Sequence, residues 1–145
     1  MGQVLEIRQV VDARDGSRTD TGLGWAVLVS FPSVAGPDQK AKLAAAYQAQ
    51  AVDMEAATVA RIAQAHGLAF HAIKAVSDDA AFELHEVARF ATPDGQFREA
   101  AFAAHVALSP QLWSKLFQLA GNSNYAINAL TKELESQLDW YRRSD

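Results

Sequence analysis

A layered α/β fold, with a parallel or mixed central sheet and a helical C-terminal segment, is what the sequence predicts. Three observations predict it. Trp25-Ala26-Val27-Leu28-Val29-Ser30 is a continuous apolar run of strand length, the pattern of a strand buried on both faces. Residues 25 to 78 alternate as strand, loop, helix, strand, helix, strand, the rhythm of layered α/β proteins. From about residue 96 onward the apolar residues recur at helical spacing. The 145 residues fit one domain spanning 1–145, and no linker, repeat or low-complexity tract divides them.

Each element has its own local reason. Val4 to Val11 is rich in β-branched residues and reads as a strand, followed by a polar loop at Asp12-Ala13-Arg14-Asp15-Gly16-Ser17 where Asp-Gly turns the chain. A second boundary falls at Thr19 to Gly24, before the apolar strand. Phe31 to Pro37 leaves the sheet, because proline removes ladder donors. Asp38 is placed to cap a helix over Gln39 to Gln48 with Leu43, Ala46 and Tyr47 on one side. Ala49 to Val52 is a short strand candidate. Asp53-Met54-Glu55 then opens a helix that runs to about His66, with Val59, Ile62 and Ala63 sharing a face and Gly67 stopping it. Ala69 to Val76 reads as the next strand, ended by Ser77-Asp78-Asp79. Phe82 to Phe90 is ambiguous and Thr92-Pro93-Asp94-Gly95 is a turn. Three helices are expected after it, over Gln96 to Leu108, Gln111 to Ala120, and about Asn124 to Arg142, the last with Ile127, Leu130, Leu134, Leu138 and Tyr141 in one stripe.

Composition narrows the chemistry. The absence of cysteine excludes disulfides, thiol nucleophiles and cysteine-based metal sites. A net charge of -4 with scattered basic residues gives no footprint for nucleic acid, so no nucleic-acid partner is expected. No apolar run reaches the roughly 18 residues of a membrane span, and no membrane partner is expected. The start of the chain lacks a signal pattern, and a cytoplasmic protein is expected. His66, His71, His85 and His105 do not make a spaced metal motif, and no metal is expected. Nucleophile-elbow, dinucleotide and Walker signatures are missing.

In open α/β sheets ligands bind beyond the carboxyl ends of the strands. Two acidic sites lie at such ends, Val52-Asp53-Met54-Glu55-Ala56-Ala57 and Ala75-Val76-Ser77-Asp78, one βα unit apart. Taken alone they have a plain structural explanation: Asp53 or Glu55 favours a helix N-terminus and Asp78 caps the following turn. Ala51-Val52-Asp53-Met54-Glu55-Ala56, followed by a helix and then by Phe70-His71-Ala72-Ile73-Lys74-Ala75-Val76-Ser77-Asp78, resembles the C-terminal half of the nucleoside phosphorylase and nucleosidase superfamily. The likeness covers most of residues 2 to about 105. It leans towards methylthioadenosine/S-adenosylhomocysteine nucleosidases and hopanoid-associated phosphorylases, the latter also through Arg14-Asp15-Gly16-Ser17 and Thr92 to Ala100.

The resemblance implies a three-layer αβα phosphorylase-like fold and cleavage of the N-glycosidic bond of a purine nucleoside or adenosine thioether, by phosphorolysis or hydrolysis. It implies that Glu55 binds ribose hydroxyls, that Met54 packs against the sugar, and that Asp78, beside Ser77, donates to the purine N7. An acid there offsets the negative charge that C–N cleavage builds on the base. Phe31, Ser33 and Val34 would line the base pocket. Lys74 stands where many nucleosidases carry arginine, which keeps the charge and loses bidentate geometry; it would bind phosphate or water, or else pair structurally with a carboxylate such as Glu55. No cofactor is implied, with phosphate possible as co-substrate. Family members are longer and carry an N-terminal half with the glycine-rich phosphate- or water-binding loop, which this sequence does not show. The chain therefore reads as a C-terminal portion, expected to form a homo-oligomer or to pair with a complementing N-terminal half. The alternative function is a non-catalytic nucleoside-binding or oligomerisation module.

Overall fold

The structure, a computed structural model, describes residues 2–81, 89, 90, 92 and 98–144; for 137, 138 and 140–144 it describes the backbone alone. The described elements run β1 (Val4–Asp12), β2 (Arg18–Asp20), β3 (Ala26–Ser30), α1 (Pro37–Tyr47), β4 (Ala51–Asp53), α2 (Ala56–Ala65), β5 (Ala72–Ala75), α3 (Glu99–Ala107) and α4 (Pro110–Ser144). The fold class is the expected one: a five-stranded mixed sheet with helices and a helical C-terminal segment. β1, β3 and β4 are mutually parallel, while β2 and β5 pair antiparallel with β1.

β3 is buried at all five positions, as its unbroken apolar run requires, and it divides the core into two sides. Ala26 and Leu28 join Leu5, Ile7, Val10, Ala56 and Ala57 on the side covered by α2. Val27 and Val29 join Val11 and Leu43 on the side covered by α1. A strand alternates faces every residue, so Leu5, Ile7 and Val10 share a face only because the ladder slips by one between Ile7 and Gln9. That bulge also turns Asp12 to the α2 side, level with Ser30 and, one strand further, with Asp53.

Several expectations are corrected. Arg18–Asp20, read within the polar loop and its boundary, is a strand: it lies at the exposed edge, where burial imposes no apolar alternation, and Gln9 holds it by accepting from Arg18 and donating to Asp20. Asp38 does not cap α1. Gly36 takes the cap position without a side-chain bond and Pro37 starts the helix, because proline has no N–H to satisfy there. Strand β4 is shifted from the expected Ala49 to Val52 to Ala51–Asp53, and β5 is trimmed to Ala72–Ala75. Helix α2 buries Ala56, Ala57 and Ala60, not the Val59–Ile62–Ala63 face; Val59 and Ile62 are half exposed. Small side chains let the helix backbone approach the sheet closely. Gly67, with φ +65°, does end α2, and Leu68 N–H closes on the Ala63 carbonyl.

The two expected C-terminal helices are one, α4, which passes through Gly121-Asn122-Ser123-Asn124. An interior glycine costs about 1 kcal/mol against alanine and does not by itself break a helix. The expected start of α3 at Gln96 moves to Glu99. Most of the Phe82 to Phe90 segment and Pro93 to Phe97 lie outside the described residues, as do the side chains of Leu138 and Tyr141.

Candidate active site at the strand ends

Asp12, Ser30 and Asp53 close β1, β3 and β4 in one row, at the carboxyl ends of three parallel strands. Helix α2 is seated on this row by hydrogen bonds that use its otherwise unpaired N-terminal donors. Ala56 N–H donates to Asp53 Oδ2 (3.1 Å) and Ala57 N–H to Ser30 Oγ (2.8 Å), while the Ser30 hydroxyl donates to Asp53 Oδ1 (2.6 Å). At the far end of the row Asp12 accepts from Arg14 (2.7 Å) and from Arg61 of α2 (3.1 Å). The hydrogen bond from Arg14 outweighs burial and, with the charges of both arginines, holds the Asp12 carboxyl at about 2.

This seating fixes the junction Met54-Glu55 between β4 and α2. Glu55 is well exposed, and Met54 is half exposed beside it. Lys74, on β5, reaches across to this junction: its Nζ lies 2.7 Å from Asp53 Oδ2 and 3.2 Å from Glu55 Oε1. β5 is hydrogen-bonded to β1 and not to β4, so this contact is made by the long lysine side chain without strand pairing. Burial, the largest single influence, pulls the Lys74 ammonium down. The Asp53 hydrogen bond and the charges of Asp53 and Glu55 together exceed it, leaving Lys74 above its ordinary value.

A cavity of about 390 Å³ opens beside this network, within the usual range for small-ligand sites. Asp53, Lys74, Ser77 and Asp78 line it, with Leu28 and Leu43 as apolar walls. Asp78 is largely buried, accepting from Ser77 Oγ at Oδ1 (3.0 Å) and from Lys40 of α1 at Oδ2 (2.5 Å).

Of the residues the sequence singled out, Lys74, Ser77 and Asp78 come together in this cavity, and Glu55 joins them through Lys74. Phe31, Ser33 and Val34 are not among its lining residues. Phe31 packs on the α1 side of the core and donates its N–H to the Asp53 carbonyl (2.8 Å), and Ser33 is exposed. The structural readings of Lys74 and Asp53 have a counterpart: the lysine is carboxylate-paired, and Asp53 holds the helix N-terminus; Asp78 does not cap the following turn, where Asp79 accepts from Ala81 N–H instead. Sequence reasoning missed Ser30 and Lys40. Ser30 was visible as the one polar residue ending an apolar strand; Lys40 gave no signal, its partner lying 38 residues away.

The protein is thus of the α/β class, with a cavity lined by charged side chains beside its strand ends. The model of the phosphorylase superfamily matches residues 6–109, and the chain belongs to that family, whose chemistry is glycosidic cleavage of nucleosides. Comparison with curated proteins and with solved structures finds no match. No helix among the described residues is long and apolar enough to cross a membrane.

Proposed function

We propose that this chain recognises a purine nucleoside or an adenosine thioether and serves cleavage of its N-glycosidic bond, in the manner of methylthioadenosine/S-adenosylhomocysteine nucleosidases and hopanoid-associated phosphorylases. The observation that carries this reading is that Lys74, Ser77 and Asp78 line one cavity while Lys74 ties that cavity to Glu55. Glu55 holds the ribose hydroxyls with Met54 against the sugar. Asp78, beside Ser77, delivers a proton to the base. Lys74 keeps Glu55 in place and supplies positive charge for phosphate or for an attacking water. In the reaction the C1′–N bond breaks, its electron pair leaves with the base and is met by the proton from Asp78, and an oxygen bonds to C1′, either from phosphate or from water, which gives up one proton to solvent as it does so. A second copy of the chain, or a partner carrying the glycine-rich half of the fold, completes the nucleophile side.

The test is incubation of the purified chain with methylthioadenosine, adenosine and uridine, each with and without phosphate, read for free base and for sugar or sugar 1-phosphate. Adenine release is expected. A requirement for phosphate, with sugar 1-phosphate formed, assigns phosphorolysis; release without it assigns hydrolysis. Release from uridine alone would contradict the purine reading.

A second reading, a non-catalytic nucleoside-binding or oligomerisation module, is favoured by one observation: both Asp78 oxygens already have protein partners, Ser77 and Lys40. Calorimetric binding of adenosine without turnover would support it.

A further inference from the structure

We propose that Lys40, on helix α1, is the positioning residue for Asp78. The inference rests on the function proposed above and adds to it a residue outside both acidic motifs. Lys40 Nζ donates to Asp78 Oδ2 at 2.5 Å and to the Asp79 carbonyl at 2.9 Å, so it grips the end of the β5 segment twice. The pair is largely buried: the side chains are 12% and 21% exposed. A carboxylate so withdrawn from water is costly without a compensating charge, and Lys40 is the cation that touches it. Ser77 holds the other oxygen, so the carboxylate is fixed at both ends in the cavity it lines.

The placement of Lys40 in the chain gives the contact its use. Lys40 lies in the first turn of α1, and its N–H bonds to the Gly36 carbonyl at the end of the Phe31 to Gly36 loop. The same residue thus links that loop to Asp78 across the cavity that Lys40, Leu43 and Asp78 share. Whatever base enters meets an Asp78 side chain whose orientation is set from α1, and once its proton has passed to the base the carboxylate charge is met by the Lys40 ammonium. Lys40 acts through Asp78.

The experiment is steady-state base release from methylthioadenosine and adenosine by the wild type, Lys40→Met, Lys40→Arg, Asp78→Asn and Lys40→Met/Asp78→Asn, with the thermal midpoint of each. A misplaced catalytic group costs on the order of 100-fold in rate. The expected result is a loss of that order in kcat for Lys40→Met with KM nearly unchanged, substantial recovery in Lys40→Arg, and a double variant no worse than Asp78→Asn. Wild-type kcat in Lys40→Met, or losses that multiply in the double variant, would overturn the inference and leave the proposed function standing. If the wild type binds adenosine without turning it over, the same cycle is read on affinity, with the same non-additivity expected. A wild type that neither turns over nor binds overturns the function, and this inference with it.

Discussion

Asp12 is the residue whose energetics are most sharply defined. It is 2% exposed, sits between two guanidinium groups, and titrates at about 2 against an ordinary 3.8. A carboxylate whose folded value is depressed adds stability that is fully present above about pH 4 and is lost as the pH falls through about 2. Urea denaturation between pH 4 and pH 2 should therefore show a steeper loss for the wild type than for Asp12→Asn. At pH 7 the variant should be less stable by about 1–3 kcal/mol, the cost of breaking a charged, buried hydrogen-bond set. Equal slopes would place the acid sensitivity elsewhere. Lys74 has the opposite sign. Its folded value is raised, so its contribution is complete below its ordinary value of 10.5 and disappears only as the pH rises beyond it. Lys74→Met should lose this contribution at every pH, while Lys74→Arg, whose guanidinium keeps its proton throughout, should retain it; the alkaline fall in stability should therefore disappear from both variants.

At the scale of elements, the seating of α2 decides where Glu55 stands. Ser30 and Asp53 together satisfy two N-terminal donors of that helix, so Ser30→Ala should cost about 1 kcal/mol, the usual value of a lost cap. If Glu55 works through this geometry, the same variant should also weaken nucleoside binding although Ser30 is not a contact. Gly24, just before β3, passes close against the backbone of β1 at Glu6. Its φ is +76°, and a Cβ there would stand 2.5 Å from the Glu6 carbonyl oxygen, so Gly24→Ala should be destabilising by well over 1 kcal/mol in chemical denaturation. By contrast, Val59→Thr and Ile62→Thr on the half-exposed face of α2 should change the stability of the isolated chain by less than about 0.5 kcal/mol. A larger loss that grows with dilution would show that this face is covered by another chain.

For the whole molecule, the sheet's interior was legible and its margins were not. The apolar run of β3 announced its own burial because both faces are covered, and the Asp53-Met54-Glu55 and Ser77-Asp78 motifs announced strand ends because acidic residues follow strand-length apolar runs. Edge strand β2 gave no such signal, since one exposed edge tolerates a polar Arg-Thr-Asp sequence. The face of α2 was misread because its inward residues are alanines, less conspicuous than the valine and isoleucine that point outward. The Lys40–Asp78 and Lys74–Asp53 pairs are contacts between distant segments, which no local pattern carries. In the proposed reaction Asp78 serves the base while Glu55 serves the sugar. The most direct test is adenine release from methylthioadenosine by the wild type beside Asp78→Asn and Glu55→Gln at equal protein concentration, with folding verified by circular dichroism. Loss of release in Asp78→Asn, and a raised KM with lowered kcat in Glu55→Gln, is the predicted result. Undiminished release by a folded Asp78→Asn would contradict the account.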